Sequence, residues 1–370
     1  MRFFLINLIV IGCTLFDFHS AAYACTDFRL TAKDKTIIIT RSMEFALDLK
    51  SNLRTSPRTR VFTMTAPNGK EGLSWKAKYG YAYLDGLNID AAIDGINEKG
   101  LSFGALFLPD LAQYQNVPRG EEKKSLPYIN IGDWILGNFE TVAQVKNALS
   151  QIYVCNHTIT GLQNTFFPLH FSIYDATGAG IVVEYVQGKV KIYDNKIGVL
   201  TNSPTYDWHI TNLNNYVNLL PKNPAPTLLN GIVFAATGQG FGMIGLPGDI
   251  SPPSRFVKIA TQIRVVMPVE TSTDLLNLAE HIINNVDIPR GLAREPKNKN
   301  YSNEITQWVV FKDVTHKVLY FRTYQNLVLR GLPLDKIDFS PNAKLLKMPL
   351  TSSTPIQDVT AQLIHSGAHS

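Results

Sequence analysis

The sequence predicts an α+β protein built in layers. Two observations predict it. Strand-like runs and helix-like runs come in groups rather than in alternation, which argues against βαβ units. Of 370 residues, 45% are hydrophobic, 18% charged and 10% aromatic. That balance excludes a disordered chain, a collagen and a coiled coil, and the length is ample for a large core.

Residues 1–24 read as a secretory signal: Arg2, an apolar run from Phe3 to Phe16, and Ala22-Tyr23-Ala24 as the cleavage site. The run of about 14 residues is short of the ~20 that span a bilayer. An uncleaved anchor is one alternative. A lipoprotein signal at Val10-Ile11-Gly12-Cys13 is another, and it would leave Cys25 inside the chain. Cleavage after Ala24 makes Cys25 the first residue and implies export, to a Gram-negative-type periplasm or the medium. The main domain is expected over 25–340, with a loosely held tail over 341–370.

Within that domain, strands are expected at Lys35–Arg41, Tyr79–Leu84 and Leu101–Leu108, the last after a turn at Asn97-Glu98-Lys99-Gly100. Tyr128–Phe139 and Thr141–Ser150 read as helices. Strands return at Leu169–Tyr174, Gly180–Val186, Lys189–Tyr193 and Gly198–Thr201. Thr205–Leu220 and Arg255–Met267 read as helices. Thr271-Ser272-Thr273-Asp274 is a capping box ahead of an apolar face at Leu275, Leu278, Ala279, Ile282 and Ile283. Gln307–Phe311 and Lys317–Tyr324 form a late hairpin.

Net charge is +5, from 35 Lys+Arg against 30 Asp+Glu. No dense basic run accompanies it, so no nucleic-acid partner is expected. Apart from Cys13, the cysteines are Cys25 and Cys155, too few for a disulfide framework. Either they form one bridge or Cys25 stays free for chemistry. Two motif matches fail on context. Gly240–Gly245 fits G-x-G-x-x-G but runs into the turn residues Leu246-Pro247-Gly248-Asp249 instead of a helix. Gly100–Gly104 fits G-x-S-x-G, but a turn precedes Ser102 and a strand follows, the reverse of a nucleophile elbow. The histidines are scattered, so no metal site is expected, and His209 and His281 read as structural residues.

Cleavage after Ala24 would give Cys25 a thiol and a free α-amine. The amine titrates at about 7.7–8.0 and the thiol at about 8.5. One residue then supplies both attacker and base, with no histidine needed.

The surrounding blocks resemble the choloylglycine hydrolase family, which contains bile salt hydrolases and penicillin V acylases. They are Cys25-Thr26-Asp27-Phe28, Arg41-Ser42-Met43-Glu44-Phe45, Asp94–Leu101, Thr201–His209, and Gly245–Asp249 with Ser254-Arg255-Phe256. The resemblance implies the four-layer αββα fold of N-terminal nucleophile hydrolases, with two stacked antiparallel sheets. It implies hydrolysis of a small N-acyl amide through a thioester, with no cofactor and no metal. By position, Cys25 is the nucleophile, Asn202 an oxyanion donor, Glu44 the acid that orients the amine, and Arg41 and Arg255 the cations near the thiol. Asn212–Thr237 matches the length of the family's assembly segment, which implies a homotetramer.

Two positions depart from the family. Glu44 stands where Asp is usual, longer by one carbon–carbon bond of ~1.5 Å. Phe107 stands where bile salt hydrolases carry Asn, leaving a backbone N–H near it as the second oxyanion donor and an aromatic wall for the acyl group. These residues favour penicillin V or N-acyl homoserine lactones over conjugated bile salts. The rivals are a bile salt hydrolase, a catalytically weak ligand-binding protein on the same fold, and a serine hydrolase using Ser102.

Overall fold

The computed structural model describes residues 24–158, 166–297 and 300–351. Residues 1–23 of the expected signal, with Cys13, and the chain beyond 351 lie outside the described residues.

Two antiparallel sheets form the body. The first has seven strands: Val199–Leu200, Cys25–Thr31, Ile37–Phe45, Asn300–Asp313, Val318–Thr323 and Asn326–Pro333 in order, with Ala293–Lys297 paired to Asn300–Asp313. The second has eight, in the order Lys189–Asp194, Gly180–Val186, Leu169–Tyr174, Ser102–Phe107, Ile89–Asn97, Tyr81–Gly86, Asn52–Ser56 and Lys347–Pro349. Helices Pro252–Val265 and Ser272–Ile283 cover the first sheet, and Ile131–Asn138 and Val142–Leu149 cover the second. The layers therefore stack helix, sheet, sheet, helix, as the resemblance implies.

Each sheet buries its outer face against its helices. Leu275, Ala279, Ile282 and Ile283 join Ile38 and Phe28 in one core; Ile131, Ile135 and Val145 join Phe103, Phe171 and Ile173 in the other. All of Ile37–Phe45 is buried, because a sheet lies on one side of it and a helix on the other. The layer between the sheets is partly polar. Asp27, Arg41, Asp94, Ser102, Ser172 and Lys312 are buried there. Arg41 and Lys312 share one carboxylate, with Lys312 Nζ 2.8 Å and Arg41 Nη1 3.4 Å from Asp94, and burial raises the Asp27 pKa to about 6.

The expected elements stand with shifted ends: the strand expected at Lys35–Arg41 runs Ile37–Phe45, the helix expected at Arg255–Met267 runs Pro252–Val265, and Gln307–Phe311 lies inside the longer strand Asn300–Asp313. Thr271 caps Ser272–Ile283, accepting from the Asp274 N–H at 3.3 Å. The helix expected over Thr205–Leu220 is corrected: it runs Tyr206–Asn212 and tightens into a 3₁₀ turn at Leu213–Tyr216. Asn214 Nδ2 takes the Thr211 carbonyl and Asn215 Nδ2 takes the Asn212 side chain, so short polar side chains compete with the helix ladder. The expectation of a loose segment after Pro341 is also corrected over its described part. Lys347–Pro349 extends the second sheet beside Asn52–Ser56, and Leu350 is buried.

The G-x-S-x-G match has a structural explanation. Gly100 turns with φ +83°, and a Cβ there would meet the Val314 carbonyl oxygen at 2.2 Å. Gly104 leaves room between the sheets: a Cβ there would lie 3.2 Å from Asp94 Oδ2 and 3.5 Å from Arg41 Cδ. Ser102 is a buried strand residue between them. Gly240–Gly245 holds the short 3₁₀ turn Phe241–Met243 and opens no helix.

Candidate active site

Cys25 opens the strand Cys25–Thr31, which pairs antiparallel with Ile37–Phe45 in the register Cys25↔Met43 and Asp27↔Arg41. Alternation along a strand sends Cys25, Arg41 and Met43 to one face and Thr26 and Glu44 to the other. Cys25 and Cys155 are both free and buried.

On the sulfur face, Arg41 Nη2 lies 3.6 Å from Cys25 Sγ, and Met43 Sδ lies 3.9 Å from it. Arg41 is fully buried and held on several sides, by Asp94, by the Ala105 carbonyl and by the Trp308 ring, 5.0 Å from its guanidinium carbon. Burial pushes the thiol pKa up; Arg41, and more weakly Arg255, pull it down, while Glu44 pushes it up. A cavity of about 100 Å³ opens against the sulfur. Met43, Phe45, Leu87, Phe107, Phe167 and Ile93 are among its apolar walls. Phe107 meets Phe45 edge to face at 6.5 Å.

On the nitrogen side, the Cys25 N–H donates to Asn202 Oδ1 at 2.6 Å. Arg255 Nη2 donates to the same oxygen at 2.7 Å, and Arg255 Nη1 donates to the Cys25 carbonyl at 2.5 Å and to Thr26 Oγ1 at 2.6 Å. Asn202 Nδ2 donates to the Phe107 carbonyl at 2.7 Å. Donors on one side of the amide and an acceptor on the other fix its orientation, and a second N–H remains on Nδ2. Glu44 is buried, and its Oε1 accepts from Thr306 Oγ1 at 2.9 Å. Burial raises its pKa from 4.5 to about 8, against the pull of Arg255. Ala24, still joined to Cys25, donates its N–H to the buried Glu304.

The structure thus brings together Cys25, Arg41, Glu44, Asn202, Arg255 and Phe107. Two details differ from the implied roles. The Cys25 nitrogen rests on Asn202, with Glu44 turned to Thr306. Arg255 grips the Cys25 carbonyl and Asn202, and of the two arginines Arg41 is the one that touches the sulfur. Sequence reasoning missed Asp94, Lys312, Thr306 and Trp308 as supports. The one available signal was a lysine ending the apolar run Trp308-Val309-Val310-Phe311.

A layered sheet sandwich with a free cysteine opening a central strand is the architecture of an N-terminal nucleophile hydrolase. The profile described as "Linear amide C-N hydrolases, choloylglycine hydrolase family" matches residues 25–347. The chain belongs to that family and is a linear amide C–N hydrolase. It is 35% identical, over 86% of its length and 94% of the relative's, to a bile salt hydrolase/transferase of Clostridium perfringens. A variant of conjugated bile acid hydrolase from Clostridium perfringens superimposes with a TM-score of 0.79 at 30% identity, covering 91% of this chain and all of the other. Penicillin V acylase from Agrobacterium tumefaciens gives a TM-score of 0.71 at 25% identity, covering 89% of this chain and 95% of that one.

Proposed function

We propose that the chain is an exported cysteine amidase that acts once Cys25 is its first residue. The Cys25 sulfur attacks the amide carbonyl, and its proton passes to the α-amine. The remaining Asn202 N–H and a backbone N–H near Phe107 hold the oxyanion. The amine hands the proton to the leaving nitrogen as the C–N bond breaks, and water then cleaves the thioester. Arg41 favours thiolate. Glu44 Oε2, buried without a hydrogen-bond partner, becomes an acceptor for the added N–H groups of a free amine. An ammonium so placed would bring the Glu44 pKa back down. The observation that carries this reading is the division of Cys25 itself, with sulfur on Arg41 at an apolar cavity and nitrogen on Asn202.

The acyl group is apolar. The cavity of about 100 Å³ is smaller than the roughly 150 Å³ that holds a benzene ring, so its apolar lining suits the first part of a phenoxyacetyl or fatty acyl chain and the rest of the chain must lie outside it. Phe107 supplies the aromatic wall. The second reading is a conjugated bile salt hydrolase, supported by the 35% identity to the Clostridium perfringens enzyme. The test presents phenoxymethylpenicillin, an N-acyl homoserine lactone and glycocholate to the secreted protein, with its intact mass recorded. A start at Cys25 and turnover abolished in Cys25→Ala are expected. Turnover that survives the substitution points to a serine hydrolase, and binding without turnover to the ligand-binding rival.

A homotetramer is part of the proposal. The hairpin Thr227–Leu229/Ile232–Phe234 exposes Leu228 (68%) and Val233 (65%) with Phe234 beside them, an apolar ribbon that calls for a partner surface. Sedimentation of the parent and of Leu228→Ser/Val233→Ser tests it; a parent that sediments as a monomer removes it.

A further inference from the structure

Asn202 carries two duties in this scheme, acceptor for the nucleophile's nitrogen and donor to the oxyanion, and it sits on a turn rather than in a strand or helix. Its side chain can be no better placed than its backbone. Two buried histidines from different elements lie against that backbone. His170, on the strand Leu169–Tyr174, places Nε2 2.9 Å from the Thr201 carbonyl oxygen. His209, on the helix Tyr206–Asn212, places Nε2 2.9 Å from the Asn202 carbonyl oxygen. A carbonyl only accepts, so both imidazoles donate through Nε2.

The two carbonyls belong to the peptide planes on either side of the Asn202 α-carbon. Holding both planes fixes φ and ψ there, and with them the direction of the Cα–Cβ bond. Each histidine is itself braced. His170 Nδ1 lies 3.1 Å from Glu184 Oε1, which also accepts the Tyr206 N–H at 2.9 Å. The His209 ring stacks on Phe256 at 4.6 Å and 10°. Thr201, Asn202, His170, His209 and Glu184 are all fully buried, so water offers no substitute partner. Burial lowers the His209 pKa to about 4, which keeps its ring neutral in neutral solution.

We infer that His170 and His209 are positioning residues, a two-sided clamp on the Asn202 backbone that aims its amide at the oxyanion. This rests on the function proposed above. A plain core role would make the same rings matter for folding alone. The clamp makes them matter for a reaction that forms an oxyanion and not for one that does not.

The experiment uses the processed protein with its best amide substrate, and separately measures alkylation of Cys25 by iodoacetamide, a displacement with no oxyanion. In His209→Leu, kcat is expected to fall ~10- to 100-fold, since a misplacement of about 1 Å can cost ~100-fold. KM and the alkylation rate are expected to stay within about twofold of the parent. His209→Gln keeps an N–H donor at similar reach and is expected to recover most of the lost kcat. His170→Leu should behave as His209→Leu does. Unchanged kcat in the leucine variants overturns the clamp, as does a parallel loss of kcat and alkylation, or equal losses in His209→Leu and His209→Gln. The parent and Cys25→Ala are the control for the underlying reading: a parent whose turnover survives Cys25→Ala overturns both, whereas a Cys25-dependent parent with indifferent histidines overturns the clamp alone.

Discussion

The sulfur and the backbone nitrogen of Cys25 face opposite surroundings. Around the sulfur are Met43, Phe45, Phe107 and the apolar cavity, with one guanidinium, that of Arg41, in contact. Around the nitrogen are Asn202, Arg255, Glu44 and Thr306, polar throughout. Strand alternation makes the difference, sending neighbouring positions of one β-pair to opposite faces. A nucleophile whose base is its own amine needs no third residue to bridge the two surroundings. The two sides then meet through charge, Glu44 raising and Arg255 lowering the thiol pKa, and each can be broken by its own substitution.

The largest effect is expected on the nitrogen side. Asn202→Ala removes the proposed oxyanion donor and the acceptor for the Cys25 nitrogen. Loss of one such donor costs ~100- to 1,000-fold in kcat, and loss of both roles should reach at least the upper end. Steady-state turnover of the best amide substrate checks this; a loss under tenfold would remove Asn202 from the mechanism. On the sulfur side, Arg41→Met removes the cation beside the thiol. Arg41 lowers the thiol pKa, so the variant's pKa rises, and each unit of rise cuts the thiolate fraction at pH 7 about tenfold. The pH profile of iodoacetamide alkylation reads it directly. The same change leaves Asp94 still paired with Lys312 at 2.8 Å, so no buried carboxylate is stranded, and stability should fall only by the ~1–3 kcal/mol of a buried acceptor, the Ala105 carbonyl, that loses its Arg41 donor. An unmoved alkylation profile would mean that Arg41 serves packing only.

The residues at the reacting atoms were legible on both sides: Cys25 and Arg41 beside the sulfur, and Glu44, Asn202 and Arg255 toward the nitrogen, each lie in a short sequence block. That Arg41 shares the face of Cys25 follows from strand alternation only once the pairing register is known. The supports were not legible. Ile89–Asn97 carries two aspartates, two alanines and a glycine, poor strand formers by propensity. It is nevertheless a central strand, because a Cβ at Gly95 would lie 2.6 Å from the Ala82 carbonyl oxygen and because Asp94 must reach Arg41 and Lys312. Thr306 and Lys312 come from a strand remote in the chain, so only the first sheet's pairing brings them in. Lys347–Pro349 is too short to show a period, and its pairing with Asn52–Ser56 exists only in three dimensions.

A smaller effect is a pH dependence expected to separate the full-length chain from one that begins at Cys25, as the proposed function requires. With Ala24 attached, Glu44 has a pKa of about 8 against an ordinary 4.5. Between those values the unfolded chain gives up its proton and the folded chain keeps it. Glu44's contribution is therefore intact below pH 4.5 and is lost as pH rises toward 8, by at most ~1.4 kcal/mol per unit. Asp27 and Asp133 are also raised, to about 6, so the comparison must be with Glu44→Gln in the same background. Denaturation midpoints from pH 4.5 to 8 should converge on those of Glu44→Gln at the acid end and fall below them at the basic end. The gap should shrink in the processed chain, where the ammonium compensates the carboxylate. An equal gap in both forms would show that the amine does not lie beside Glu44.

The smallest effect, and the sharpest test of the division between the two sides, is expected in Thr306→Val. The side chain keeps its shape and loses one hydroxyl. That hydroxyl donates to Glu44 Oε1 at 2.9 Å and accepts the Ile288 N–H at 2.9 Å. Removing it leaves a buried N–H unpaired, which costs about 1–3 kcal/mol. It also takes a donor from the charged form of Glu44, so the Glu44 pKa rises further and the carboxylate beside the amine weakens. Turnover should fall a few-fold near neutrality and recover in part at higher pH, where Glu44 ionises. Thr306 does not touch the sulfur, so alkylation of Cys25 should change only as far as the weaker charge on Glu44 lets the thiol pKa fall, which speeds alkylation slightly while turnover drops. If alkylation instead falls together with turnover, the change has reached the sulfur's own packing, and the division argued from strand alternation fails at that residue.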